Sequence, residues 1–182
     1  MYHIPNDRRA LRSADTLYHG LLDSLKTKSY IDVSVRDLCV VSGVSRATFY
    51  RLFDNISDIL TWKCEMILLQ ALEQAESCQF PAALESFVNA WFDNRRLMET
   101  LIQCDRTEIL YEVHEKHIED FRVAVLSDIE VSEIQSDYLS SVLAAILPAA
   151  FRMWVQHPEE PMMIVTRLRD CFGILDKMLS SV

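Results

Sequence analysis

Between Ala10 and Leu25 the apolar residues Ala10, Leu11, Ala14, Leu17, Leu21, Leu22 and Leu25 return every three or four positions. That interval puts them on one face of a helix, and so continuous a face has to be buried against something. Little in the chain interrupts patterns of this kind. Three glycines and five prolines stand among 182 residues, half of them hydrophobic. Long runs of Leu, Ala, Glu and Met with few breakers specify an all-α protein. The length suits one large domain, or a small one joined to a larger.

The net charge of −9 is unevenly spread. Residues 1–53 carry eight Lys/Arg against five Asp/Glu, a balance of +3; residues 54–182 carry ten against twenty-two, a balance of −12. The first part can approach a polyanion and the rest would be repelled by one. No basic stretch followed by an apolar run and a small-residue cleavage site opens the sequence, so no signal peptide is expected. The run LSSVLAAILPAAFRMWV at 139–155 is interrupted by Ser140, Ser141, Pro148 and Arg152, and is expected to be a buried helix, not a membrane span. Cys39, Cys64, Cys78, Cys104 and Cys171 are odd in number and scattered, without a CxxC pair. They fit reduced thiols in a cytoplasmic protein.

The helical period breaks at KTKSYIDVS. Ser34 and Asp37 have the spacing of a capping box and open a second helix with Val35, Leu38 and Cys39 on one face. Gly43 can take the left-handed conformation that ends it. Ser45 can cap a third helix from Arg46 to about Phe53. Asn55 with Asp58 can cap a fourth, from Ile56 to about Ser77. Helix, short glycine turn, helix is the helix-turn-helix pattern, whose second helix can enter the DNA major groove. That helix is too short to stand alone. Phe49 and Phe53, four apart, can anchor it, leaving Arg46, Ala47, Tyr50 and Arg51 toward solvent and Thr48 near the capped end. A helix N-terminus, arginines and hydroxyls are the groups that meet phosphates and base edges.

The stretch DVSVRDLCVVSGVSRATFYRLFDNISDIL resembles the DNA-binding signature of the TetR/AcrR family of transcriptional regulators. The resemblance covers roughly residues 8–62 and is most specific in GVSRATFYRLF. It implies a three-helix DNA-binding domain, residues 1–54, followed by a helical effector-binding and dimerisation domain, residues 55–182. The partners it implies are double-stranded DNA, a second copy of the chain and an unknown small-molecule effector, with no membrane, metal or cofactor. On the matching positions Ser45, Arg46, Thr48 and Tyr50 would touch DNA, Tyr50 on a phosphate, while Phe49 and Phe53 would pack. Ser34, Arg36, Ala47 and Arg51 complete the candidate DNA-facing set. Family members usually carry a lysine shortly after the closing Phe, where it meets a phosphate. Here Ile56 takes that place, with Asp54 before it, so Ile56→Lys is expected to strengthen sequence-independent binding.

Beyond residue 80 the periodicity predicts helices at about 81–94, 95–104, 106–127, 133–156 and 160–180. Pro81, Pro158 and Pro161 fall at or near starts, and Pro148 should bend the helix that contains it. Ala144, Ala145, Ala149 and Ala150 leave room for a neighbouring helix, and Ile164, Leu168, Cys171, Leu175 and Leu179 give the last helix a stripe. These are the expected dimer helices, although core packing within one chain would leave the same pattern. In the 106–127 segment Leu110, Val113, His117, Phe121 and Ala124 place His117 on an apolar stripe, where a histidine is ordinarily a satisfied core residue. Glu108, Glu112, Glu115 and Glu119 form a solvated stripe. His114 and His117, three apart, lack a third metal ligand. Candidate walls of an effector pocket are Trp62, Trp91, Phe92, Met98, Tyr111, His117, Phe121, Met153 and Trp154.

The expected function is a homodimeric repressor released from a palindromic operator by its effector. The alternative is a module of the same fold, binding a ligand or a protein, with weak or no specific DNA binding; Asp54 and Ile56 favour it. No phosphate-cradling Gly loop, GxSxG elbow or HExxH motif supports an enzyme.

Overall fold

The computed structural model describes residues 1–79, 82–126, 130–157, 160 and 162–179. Its helices are α1 Arg8–Ser24, α2 Val35–Ser42, α3 Arg46–Leu52, α4 Ser57–Glu76, α5 Ala82–Asp93, α6 Arg95–Gln103, α7 Glu108–Lys116, α8 Ile118–Leu126, α9 Glu133–Gln156 and α10 Met162–Leu179. The protein is all-α, as its periodicity requires. Pro81, Pro158 and Pro161 lie outside the described residues, as do the last residue of the expected 106–127 helix and residue 180.

The N-terminal three helices are built by local signals. Asp7 accepts from Arg9 N and Ala10 N and starts α1. Ser34 and Asp37 form the expected capping box at α2, and Gly43 ends that helix at φ 70°. Ser45 accepts from Thr48 N to start α3. Asn55 Oδ1 accepts from Asp58 N at 3.2 Å and Asp58 Oδ2 accepts from Asn55 N at 3.1 Å, a reciprocal pair at the mouth of α4. α1 ends at Ser24, earlier than its apolar period suggested, and Leu25 remains buried beyond it.

Where α1 crosses α2 the approach is unusually close. A Cβ placed on Gly20 would lie 2.7 Å from Ser42 Cβ and 3.2 Å from Ser42 Cα. Gly20→Ala gains helix propensity, but it must displace the end of α2 rather than a flexible side-chain tip. The clash is expected to win, costing about 1–3 kcal/mol. Thermal unfolding checks this; a raised melting temperature would mean that α2 yields to the added methyl at little cost.

α4 is the spine. Eleven of its twenty residues are buried, so it is an interior helix and not a surface one. It packs against α1, α5, α6, α7 and α8, and the Asp15–Lys63 ion pair (2.8 Å) ties α1 to it. The 106–127 segment is two helices. His117 leaves helical geometry at φ −111°, ψ 29° and caps α7, and α8 starts at the next residue. α9 runs through Pro148 as one helix. Among the described residues α9 is long and apolar enough, by length and composition, to cross a membrane. It nevertheless packs Leu143, Ala144, Phe151 and Trp154 into the core.

Candidate nucleic-acid interface and aromatic core

Phe49, Leu52 and Phe53 are fully buried, and Phe53 meets Trp62 of α4 at 6.2 Å between ring centroids. α3 is therefore held by packing onto α1, α2 and the root of α4. Its other face is open: Arg46, Ala47, Tyr50 and Arg51 are exposed, as are Ser45, Ser34 and Arg36. Thr48 is half-buried, and its hydroxyl takes a hydrogen bond from Ser45 Oγ at 3.0 Å. Ser34 and Ser45 spend their side-chain oxygens on caps, which leaves the arginines, Tyr50 and the helix N-termini as the groups free to meet an anion. Asp37, held down to about 2 by Lys28 and Ser34, stays ionised beside Ser34.

The residues before α1 lie along the end of α3, a feature the sequence did not signal. Tyr2 pairs with Phe53 in an isolated antiparallel bridge, and His3 N donates to Leu52 O at 2.8 Å. His3 Nε2 lies 3.0 Å from Asp54 Oδ1. Hydrogen bonds from His3 and the Met1 ammonium hold the exposed Asp54 carboxyl below its ordinary range. Ile56, at the place where the family pattern has a lysine, is half-buried and packs against the core, so a lysine there would give up part of that packing.

The candidate pocket residues do not share one site. Trp91, Phe121 and Trp154 come together in a ring cluster with Phe87, Phe92, His114 and Phe151. Its centroid distances include 5.1 Å for Phe87–Phe121, 5.8 Å for Trp91–Phe151 and 4.2 Å for Phe92–Trp154. Met98 is buried on α6. Trp62 instead belongs to the junction of α4 with α3, while Tyr111 and Met153 are surface residues, 43% and 50% exposed. His117 is also elsewhere. The break between α7 and α8 turns it out of the apolar stripe and onto Glu65 of α4, Nε2 to Oε1 at 2.6 Å, with Nδ1 2.8 Å from Asp120.

Glu65 is nearly buried and gathers Tyr2, Lys116 and His117. Burial pushes its carboxyl up, but those hydrogen bonds outweigh it and the group lies below its ordinary range. The carboxylate thus links the segment beside α3, the spine and the α7–α8 joint.

The core histidine is His114. It is 2% exposed, stacks on Trp91 at 5.3 Å and meets Phe87 edge-on at 5.9 Å. Its Nδ1 lies 2.6 Å from Leu110 O, and burial pushes its pKa down to about 4. His114 and His117 thus serve different neighbours, and among the described residues no set of three or more His, Cys, Asp or Glu gathers as a metal site. The signal for His114 was present: Leu110 and His114 are four apart on a helix that also buries Val113.

The class this defines is an all-helical protein with a helix-turn-helix head on a larger helical body. No family model and no curated protein matches the chain. Among solved structures it is similar to the 2.8 Å crystal structure of Lin0861 from Listeria innocua. The TM-score is 0.73 at 15% identity, over 95% of this chain and 96% of that one. That likeness extends the shared fold over head and body together.

Proposed function

We infer that the chain is a DNA-binding transcriptional regulator of the TetR/AcrR type, a cytoplasmic homodimer whose operator binding a small-molecule effector relieves. The observation that carries this is α3: Phe49 and Phe53 anchor a seven-residue helix whose outer face offers Arg46, Tyr50 and Arg51. So short a helix serves no packing need that requires two exposed arginines and a tyrosine. A groove-reading helix does require them. The effector would act by population shift, favouring a body conformation in which the two heads are wrongly spaced.

Selection of bound sequences from a random DNA pool tests this; the expected outcome is a palindromic consensus, and an unenriched pool defeats the reading. On that site Arg46→Ala should weaken specific binding by about 1–3 kcal/mol and leave the fold intact. Phe49→Ala should instead lower stability by about 3–5 kcal/mol, because it opens a cavity under α3. Equal operator affinity for wild type and Arg46→Ala would show that α3 does not dock as described.

The second reading, a module of this fold with weak DNA binding, draws support from Asp54, whose exposed carboxylate flanks α3, and from the apolar Ile56. Titration of random duplex DNA at low salt separates the two, since the second reading expects little binding even there.

A further inference from the structure

Within the ring cluster two buried polar atoms have no hydrogen-bond partner, Trp91 Nε1 and His114 Nε2. Their roles are opposite. The indole N–H can only donate. His114 Nδ1 faces a carbonyl, which can only accept, so Nδ1 carries the ring proton and Nε2 is a bare lone pair. The two rings lie within 26° of parallel. Their N–H and lone-pair directions run in the ring planes, so the two atoms cannot satisfy each other. A core that needed only packing would be better served by phenylalanine at both positions, because an unmatched buried donor or acceptor is a net cost.

Both atoms sit among apolar rings, Phe87 against His114 and Phe151 against Trp91. The charged groups nearest the cluster already have partners: Lys116 and His117 meet Glu65 at the α7–α8 joint, and Arg95, whose guanidinium lies 4.8 Å from the Trp154 ring centroid, is paired with Glu99. We propose that Trp91 and His114 are the polar readers of a small-molecule site in this core, and that its ligand is an uncharged ring compound bearing a group that both accepts and donates, such as a hydroxyl or carboxamide. The group accepts from Trp91 Nε1 and donates to His114 Nε2. A carboxylate has no proton for His114, an ammonium has no lone pair for Trp91, and either would bury a charge among rings. A plain hydrocarbon leaves both atoms as they are. The proposal names the chemistry of the effector in the regulatory reading above and rests on that reading for its biological use, but not for its test.

The test is thermal unfolding of the full chain at pH 7 with phenol, benzamide, toluene and benzoate at equal millimolar concentrations. Phenol and benzamide are expected to raise the melting temperature with an apparent affinity at least about tenfold above that of toluene, and benzoate to have no effect. Trp91→Phe and His114→Phe keep an aromatic ring and delete one reader each. In both, the preference for phenol over toluene should fall to within about twofold. Equal stabilisation by phenol and toluene in the wild type overturns the proposal, as does stabilisation by benzoate or by none of the four, and these outcomes need no variant to fold. A preference that survives in both variants also overturns it. Failure of the DNA-pool selection with the phenol preference intact would remove the regulator reading and leave the site standing.

Discussion

Taking the protein from pH 7 to pH 4 should cost the fold about 3 kcal/mol through His114 alone. The histidine is buried among Phe87, Trp91 and the backbone of α7, and its pKa is pushed down to about 4 by that burial, with a smaller contribution from His117. In the unfolded chain the same imidazole titrates near 6.5. Between those two values the unfolded state binds a proton that the folded state refuses, so stability rises with pH across the window and is lost as pH falls. Each pH unit is worth about 1.4 kcal/mol, and the loss is complete near pH 4. The depressed carboxylates, Asp37 and Glu65 among them, add their own acid lability at the lower end of the range. The window from pH 6.5 to about 4.5 is the informative one for that reason. Urea unfolding of wild type and His114→Phe at half-unit steps gives the two slopes. The wild type should be steeper by close to one proton's worth; parallel slopes would mean that His114 is not held neutral in the core.

The same residue shows where the sequence stopped being readable. The head was legible because its joints are chemical. Ser34, Gly43, Ser45 and Asn55 each have a side chain or a φ preference that fixes a helix end, and each end fell within a residue or two of its place. The α7–α8 joint has no such marker. No glycine or proline stands there, and the apolar period continues through it if one helix is assumed. With the break, His117 moves to Glu65, and His114, one turn earlier, becomes the buried ring. The pocket residues scattered for a related reason. Aromatic composition says how many rings a core can hold, but not which of them face the same space. Trp62 and Trp91 look alike in sequence, yet they belong to the root of α3 and to the body respectively.

Ala149→Glu should convert a dimer to monomers and lower operator affinity by about 10²–10⁴-fold without unfolding the chain. The ground for this is the outer face of α9. Ile134, Tyr138, Val142, Ala145, Ala149 and Met153 follow one another at steps of three and four, and all six are exposed. The opposite face is spent on the chain's own core through Ser140, Leu143, Ala144, Phe151 and Trp154. α10 has the same problem more acutely. Ile164 is buried and Leu168 half-buried, but from Arg169 to Ile174 every side chain is exposed, Phe172 and Ile174 included. The side chains of Leu175 and Leu179, assigned to its stripe, lie outside the described ones. A helix with so little cover does not hold itself in water. Two such stripes side by side suit a second copy, because small alanines flanked by Val142 and Met153 let an identical helix approach closely. An obligate interface of this kind buries on the order of 2,000 Å² or more. A glutamate at 149 is harmless in the free chain, being exposed, but inside a contact between two such apolar stripes its carboxylate would be buried without a partner. Separated heads then lose the effective concentration that joins two half-sites, which sets the size of the affinity loss. Sedimentation at micromolar concentration reads the assembly, and binding to one half-site against the full palindrome reads the coupling. A wild type that sediments as a monomer, or a variant that stays dimeric with full operator affinity, would move the interface off α9.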